Sequence, residues 1–173
     1  MTSNRRPRKW CPRRQPAARG RRFGQSHTAV GSTTRVTGSM KLTATSVASA
    51  TFTVDMTSMS SGQSLRDQQF QGRIMDTADF PTATFTLTSP LDLGTVPKDG
   101  ALKTYSAKGT LQLHGTTKRV TFTLTARRTG NVIGVQGDEP ITFSDYGINN
   151  PSGGPASVGD SGQLEFVLQL QPS

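Results

Sequence analysis

GRIMDTADFPTATFTL, residues 72–87, carries the clearest structural signal in this sequence. In its second half, small or apolar residues alternate with threonine, and those of one parity are Ala83, Phe85 and Leu87. A period of two in a segment rich in β-branched residues predicts a β-strand with one buried face. Pro81 immediately precedes this strand, where its missing N–H disturbs a hydrogen-bond ladder least. The short polar run at 76–80 indicates a tight connection or a single helical turn.

The same alternation recurs along the chain, in short segments separated by Gly-, Pro- and Ser-rich connections. Strands are predicted at 35–44, 50–56, 82–87, 105–113, 119–127, 132–136, 140–143 and 164–170. A short helix is predicted at 67–75, because Phe70 and Ile74 are spaced by one helical turn. Serial short strands with turns between them favour an all-β antiparallel barrel or sandwich.

Three local features refine this prediction. HGTTK, residues 114–118, is typical of a hairpin turn in which Gly115 takes a positive φ. Gly38 lies inside a predicted strand, which indicates a bulge or a close approach of another group. Residues 145–162 form a long Gly/Pro/Ser loop, and loops of that length are often functional.

Several segments together resemble the YceI-like polyisoprenoid-binding family. FPTATF matches the family's Tyr/Phe-Pro-x-Ala-x-Phe segment, and GTLQLHGTTKRVTFTL matches its Gly-x-Leu-x-Leu-His-Gly-x-Thr-Lys-x-Val segment. Upstream, RVTGSMKL, FTVDM and LRDQQFQGRIMDT fit in the same order, as do FSDYGINNPSGG and LEFVL downstream. The resemblance runs from about residue 23 to the end. It implies an extended, lipocalin-like antiparallel barrel of about eight strands that binds a lipid.

Length and composition fit one domain with a tail. The chain has 173 residues, of which 32% are hydrophobic, and no apolar run approaches the roughly 18 residues that a membrane helix needs. Cys11 is the only cysteine, so an internal disulfide bond is excluded. The predicted domains are an N-terminal segment, 1–22, and a barrel, 23–173.

The net charge of +9 arises from the N-terminal part of the chain. Residues 1–54 hold eleven Lys or Arg and no acidic residue, whereas residues 55–173 hold nine basic and eleven acidic residues. Residues 1–22 are Arg/Pro-rich, and no apolar run follows the charges, so the segment does not read as a signal peptide. Three interpretations stay open: a disordered tail, an arm that contacts phosphates, or a misassigned or frameshifted start. The last rests on the resemblance, because the family's first strand is missing here.

The residues offer little for catalysis or for metal binding. Ser144, Asp145 and His114 contain the residue types of a hydrolase triad, but no nucleophile-elbow motif supports them, and His114 is predicted to be a turn residue bonded to backbone. The carboxylates at 76, 79, 138 and 139 are joined by no nearby His or Cys. We therefore expect no enzymatic activity, no metal and no cofactor.

The apolar strand faces are the candidate ligand site. The inward parity predicts a tunnel lined by Phe52, Val54, Met56, Phe85, Leu87, Leu111, Leu113, Phe122, Leu124, Phe143 and Phe166. Such a barrel is either filled by its own side chains or holds one elongated ligand. Arg66 and Asp67 match a family motif, which implies a head-group site at the mouth with Tyr146; the alternative is a loop-anchoring ion pair. The resemblance implies that the ligand is an isoprenoid.

Two hypotheses of function follow. The first is a non-enzymatic carrier of a polyisoprenoid or isoprenoid-quinone-like lipid, acting as a monomer or homodimer. The second is a scaffold with a filled barrel, whose basic arm binds nucleic acid or an acidic surface. Nucleic-acid binding is disfavoured, because Trp10 is the only aromatic residue of the arm. The salt dependence of binding distinguishes the two hypotheses, since phosphate binding weakens steeply with ionic strength and hydrocarbon binding does not. The family is commonly exported to the cell envelope, but the chain shows no export signal.

Overall fold

The computed structural model describes residues 29–94, 98–149 and 159–172. These residues form one antiparallel sheet and a short helix. The strands are β1 (Val36–Leu42), β2 (Ser46–Asp55), β3 (Thr82–Leu87), β4 (Leu91–Asp92), β5 (Leu102–Leu113), β6 (Thr116–Thr129), β7 (Val132–Thr142) and β8 (Ser161–Leu170). The predicted segment 1–22 and residues 150–158 of the predicted loop lie outside the described residues.

The sheet curls into a half-barrel. Seven strands follow the order β1-β2-β3-β5-β6-β7-β8, and the short β4 pairs with β2 beside them. Within the described ranges no ladder joins β1 to β8, so the barrel stays open along the seam between these two strands. The predicted fold class, an all-β lipocalin-like antiparallel barrel with one short helix, is confirmed in this half-barrel form.

The helical segment begins earlier than predicted. Helix α1 (Ser64–Gln69) continues directly into a π-helical turn at Phe70–Ile74. Phe70 and Ile74, the pair on which the prediction rested, pack against the buried core. In the part of the chain that is described, no helix is long and apolar enough to cross a membrane.

Strand β7 corrects the prediction of two short strands at 132–136 and 140–143. The structure has one continuous strand that runs through Pro140. The pairing of β7 with β6 ends at Asp138, so Pro140 lies where no N–H is needed on that side. The two-residue strand β4 was not predicted, because so short an element carries no periodicity.

The hairpin between β5 and β6 confirms the predicted turn. His114 and Gly115 are its two turn residues, with φ of 49° and 73°. Positive φ at both central residues is the geometry of the two-residue hairpin turn that matches strand twist. His114 tolerates this strain because its ring is held on both sides: its Nδ1 donates to the carbonyl oxygen of Tyr146 at 3.1 Å, and the ring centroid lies 4.5 Å from that of Phe80.

Aromatic rings lie directly over glycines inside the strands. At Gly38, a Cβ atom would collide with the ring of Phe52, its register partner on β2. A Cβ at Gly109 would collide with the ring of Phe85 on the neighbouring strand. The prediction of a close approach at Gly38 is therefore confirmed, and the absence of a side chain lets the rings lie flat against the sheet.

Replacing Gly109 with alanine should destabilise the protein by about 1–3 kcal/mol, because the added methyl group overpacks the interior. Urea unfolding followed by circular dichroism measures the change.

The matched control is Gly72→Ala, since a Cβ at Gly72 meets no atom within 4 Å. That variant should be unchanged or more stable by up to about 1 kcal/mol, because alanine favours a helical segment. Equal effects of the two substitutions would contradict the steric argument.

Candidate functional site

The inner face of the half-barrel encloses an apolar cavity. Its volume is about 470 Å³, within the range of small-molecule sites. All the long strands contribute to its wall, including both edge strands: Val36, Met40 and Leu42 from β1, and Leu164, Phe166, Leu168 and Leu170 from β8. The period-two burial of these edge strands shows that their apolar faces point inward across the seam.

Three phenylalanines form the aromatic part of the wall. The ring of Phe122 on β6 contacts Phe85 at a centroid distance of 4.9 Å and Phe166 at 5.4 Å, both edge-to-face. This is a favoured arrangement of aromatic quadrupoles. The three rings bind β3, β6 and β8 together across the inside of the barrel, and they present hydrocarbon surface to the cavity.

One end of the cavity opens among exposed polar residues. The turns after β1 and β6 contribute Thr43, Ala44, Gly130 and Asn131, all exposed, and the end of β6 contributes Arg127 and Arg128. We call this end the mouth. Arg128 donates through Nε to the carbonyl oxygen of Gly130 at 2.9 Å, and among the described residues neither arginine forms an ion pair. The carboxylate of Asp99 accepts a hydrogen bond from the backbone N–H of Gly130 at 2.9 Å, but it is not part of the lining, so the charged side chains that line the mouth are cationic.

Tyr105 and Lys103 mark the change from apolar wall to polar mouth. Both lie near the mouth end of β5. Lys103 donates through Nζ to the carbonyl oxygen of Leu93 at 2.8 Å, and the ammonium lies 5.3 Å from the centroid of the Tyr105 ring. Burial raises the pKa of Tyr105 above its usual value, so this tyrosine keeps its hydroxyl proton at neutral pH.

The opposite end of the barrel is filled by side chains. Buried residues from the strand ends and the helical segment pack into a core cluster there; they include Met56, Met75, Leu113, Ile141, Tyr146 and Ile148. The cavity therefore has an apolar closed end and a cationic mouth. A ligand that is hydrocarbon at one end and polar at the other would match this gradient.

Most of the predicted tunnel residues line the cavity. Those that do are Phe52, Val54, Phe85, Leu87, Leu111, Phe122, Leu124 and Phe166. The other three lie at the closed end: Met56 and Leu113 belong to the core cluster, and Phe143 packs against it. Leu113 is buried on β5, but Met56 and Phe143 lie in 3-10 turns that begin directly after β2 and β7, so their assignment to strands was wrong. The alternation also does not tell how far along the barrel a residue lies. For all the predicted tunnel residues, contact with a ligand stays a prediction.

The predicted head-group residues do not lie at the mouth. Tyr146 is 4% exposed in the core cluster, and Arg66 and Asp67 are on α1, away from the cavity lining. Asp67 accepts hydrogen bonds from the backbone N–H of Ser61 at 2.7 Å and from the hydroxyls of Ser60 and Ser61. It thus anchors the loop that leads into the helix. The mouth is formed instead by turns whose sequences carry no periodicity, so sequence patterns did not locate it.

Ser144, Asp145 and His114 are not arranged as a catalytic triad. The ring of His114 is bonded to the backbone of Tyr146, as predicted, and within the described residues no hydrogen bond joins it to Ser144 or Asp145. The carboxylate of Asp145 lies 3.9 Å from Lys118 Nζ. In the same described ranges, no three His, Cys, Asp or Glu side chains lie close enough to hold a metal ion.

Comparison with known proteins identifies related domains. The model of the YceI-like domain family matches residues 13–170, so the match begins within the predicted segment 1–22. A search of curated proteins finds no significant match.

Solved structures show the same fold. The chain is similar to BcnA of Burkholderia cenocepacia, with 24% identity, TM-score 0.67, and coverage of 82% of this chain and 87% of that one. It is similar to the YCEI protein of Campylobacter jejuni, with 15% identity, TM-score 0.72, and coverage of 92% and 94%. A third is a polyisoprenoid binding domain from Saccharophagus degradans implicated in plant cell wall breakdown, with 20% identity, TM-score 0.60, and coverage of 79% and 82%.

Asp67 predicts an acid-dependent loss of stability. Hydrogen bonds from Ser61, and also from Ser60, lower the pKa of its carboxyl below the usual 3.8. Its contribution is therefore fully present above pH 3.8 and fades as the pH falls through the lower folded-state value. Asp67→Asn should be less stable than the wild type at pH 7, and the difference should shrink below pH 3.8. The midpoints of urea unfolding at pH 7 and at a pH below 3.8 measure this stability difference.

Asp79→Asn is the control, because the side chain of Asp79 makes no hydrogen bond or ion pair within the described part of the chain. A stability difference for Asp67→Asn that is independent of pH would contradict the role assigned to the carboxylate.

Proposed function

The chain belongs to the YceI-like domain family, and on that premise we propose that it binds a polyisoprenoid or isoprenoid-quinone-like lipid in the cavity, as a non-enzymatic carrier or sequestering protein. The observation that carries this proposal is the cavity itself: an apolar space of about 470 Å³ inside a sheet whose inner face is Phe, Leu, Val and Ala. The similar domain from Saccharophagus degradans, described as polyisoprenoid binding, supports the choice of lipid.

The wall is suited to a branched hydrocarbon. Burial of one five-carbon isoprene unit gains about 4 kcal/mol gross, at about 0.8 kcal/mol per carbon. A few units would exceed the ordering and association costs of binding, so affinity would come from packing. The small residues Ala83 and Ala107 alternate with the phenylalanine rings on this face and leave room for methyl branches.

The mouth is suited to a polar group that stays near water. Arg127 and Arg128 line it without carboxylate partners among the described residues. A lipid inserted with its chain toward the closed end would leave its head here, where solvation is retained. The wall supplies packing surface, and its described lining contains no His, Cys, Ser, Lys, Asp or Glu side chain, which fits shielding of the lipid.

Blocking the cavity tests this proposal. Ala126 is half-buried and lines the cavity close to the mouth, so Ala126→Trp should occupy the space of the chain and weaken binding of a short-chain isoprenoid quinone by at least about tenfold. Displacement of a fluorescent apolar probe from delipidated protein measures the affinity, at low and at high salt.

Thr123→Trp is the matched control, because Thr123 is an exposed residue of the same strand and does not line the cavity. It should bind like the wild type. Failure of the wild type to take up the quinone, or binding unaffected by Ala126→Trp, would contradict the proposal.

A further inference from the structure

The hydroxyl group of Tyr105 is a buried polar atom without a partner. Tyr105 is 8% exposed, and its ring lies in the cavity wall. In the described part of the chain, its hydroxyl oxygen is the one buried side-chain N or O atom that makes no hydrogen bond. An unsatisfied buried hydroxyl costs about 1–3 kcal/mol, and each such group in a folded protein calls for an explanation.

The charged neighbours cannot accept a proton from this hydroxyl. Lys103, the charged group that lies over the ring, has donors only, and its ammonium already donates to the carbonyl oxygen of Leu93. Arg127 and Arg128, the charged residues that line the mouth, also have donors only, and the nearby carboxylate of Asp99 accepts from the backbone N–H of Gly130 at 2.9 Å. On the inner side, the neighbours along β5 and across the ladder are Ala107 and Leu124, which are apolar. Among the residues that the structure describes, no acceptor therefore lies within hydrogen-bond distance of the tyrosine hydroxyl.

The position of Tyr105 matches the boundary between tail and head of an amphiphile. On β5 it lies on the mouth side of Ala107 and Leu111, which are the register partners of Phe122 and Phe85. A chain that fills the apolar part of the cavity would bring its first polar atoms to this level. An oxygen there would accept the hydrogen bond that the protein leaves unmade, and the raised pKa of Tyr105 keeps the donor protonated.

We propose that Tyr105 donates a hydrogen bond to an oxygen atom in the polar end of the bound lipid, so that the cavity selects an oxygenated isoprenoid over a plain hydrocarbon of the same skeleton. This inference rests on the proposed function and adds to it the chemistry and the orientation of the ligand. The oxygen belongs to an alcohol, a quinone carbonyl or a phosphate ester, since each offers the same acceptor. Of these three groups, only the phosphate ester would add a salt-dependent attraction to the arginines of the mouth.

The test compares three ligands on the full-length protein after delipidation. Geranylgeraniol, geranylgeranyl phosphate and the saturated hydrocarbon phytane are titrated by displacement of a fluorescent apolar probe. Tyr105→Phe removes the hydroxyl and keeps the ring. It should weaken binding of the alcohol and of the phosphate by about three- to tenfold, the value of one net hydrogen bond, and change hydrocarbon binding less than about twofold. Repeating the titrations at high salt separates the phosphate from the alcohol.

A control variant and a second readout separate this role from packing. Ser106→Ala removes a hydroxyl from the exposed neighbouring residue and should change none of the affinities. Without ligand, Tyr105→Phe should unfold at the same or a higher temperature than the wild type, because it deletes an unsatisfied group.

Three results would overturn the inference. Equal loss for alcohol and hydrocarbon would mean that the ring acts by packing. No loss for the alcohol would mean that the hydroxyl meets no ligand, and a lower melting temperature without ligand would mean that it is already bonded in the empty protein. Failure of the wild type to bind any of the three ligands is a distinct outcome, which would remove the proposed function and this inference together.

Discussion

The contact of phenylalanine rings with strand glycines is the constraint on which the cavity wall depends. In three of these contacts the glycine and the ring lie on paired strands: Gly38 with Phe52, Gly109 with Phe85, and Gly137 with Phe166. In each, a Cβ atom at the glycine would fall within the ring or against it, so the ring lies close to the backbone of the neighbouring strand. Large aromatic side chains thereby cover the inner face without filling the space that it encloses.

Because the rings lie close to the backbone of the sheet, the half-barrel keeps a cavity instead of a packed interior. Barrels of this size are at the limit where side chains either fill the inside or leave room for one ligand. Here the rings of Phe85, Phe122 and Phe166 contact one another edge-to-face along the wall, and alanines occupy other inward positions. Filling is confined to the closed end, where the helical segment and the strand ends meet in the core cluster. The result is a cavity whose polarity changes from one end to the other.

The sequence predicted the faces of the strands better than the ends of the barrel. Alternation placed Phe85, Phe122 and Phe166 inward correctly, because a period of two depends only on local geometry. The same alternation could not show that Met56 and Leu113 lie at the closed end, since depth along the barrel depends on register and on what the helix covers. Turn residues carry no period, so the mouth was missed.

Tyr105 illustrates the same limit. Its parity with Ala107 and Leu111 marks it as inward, but its unpartnered hydroxyl appears only when all neighbouring strands are in place. Continuity through Pro140 likewise follows from where the pairing with β6 stops, which is a property of the sheet rather than of the segment.

The most direct test is to express the protein, extract it with organic solvent and identify what it releases by mass spectrometry. We expect an isoprenoid lipid in stoichiometric amount, bearing at least one oxygen atom at its polar end. A folded protein that releases no lipid, and that takes up no isoprenoid when one is added, would contradict the account.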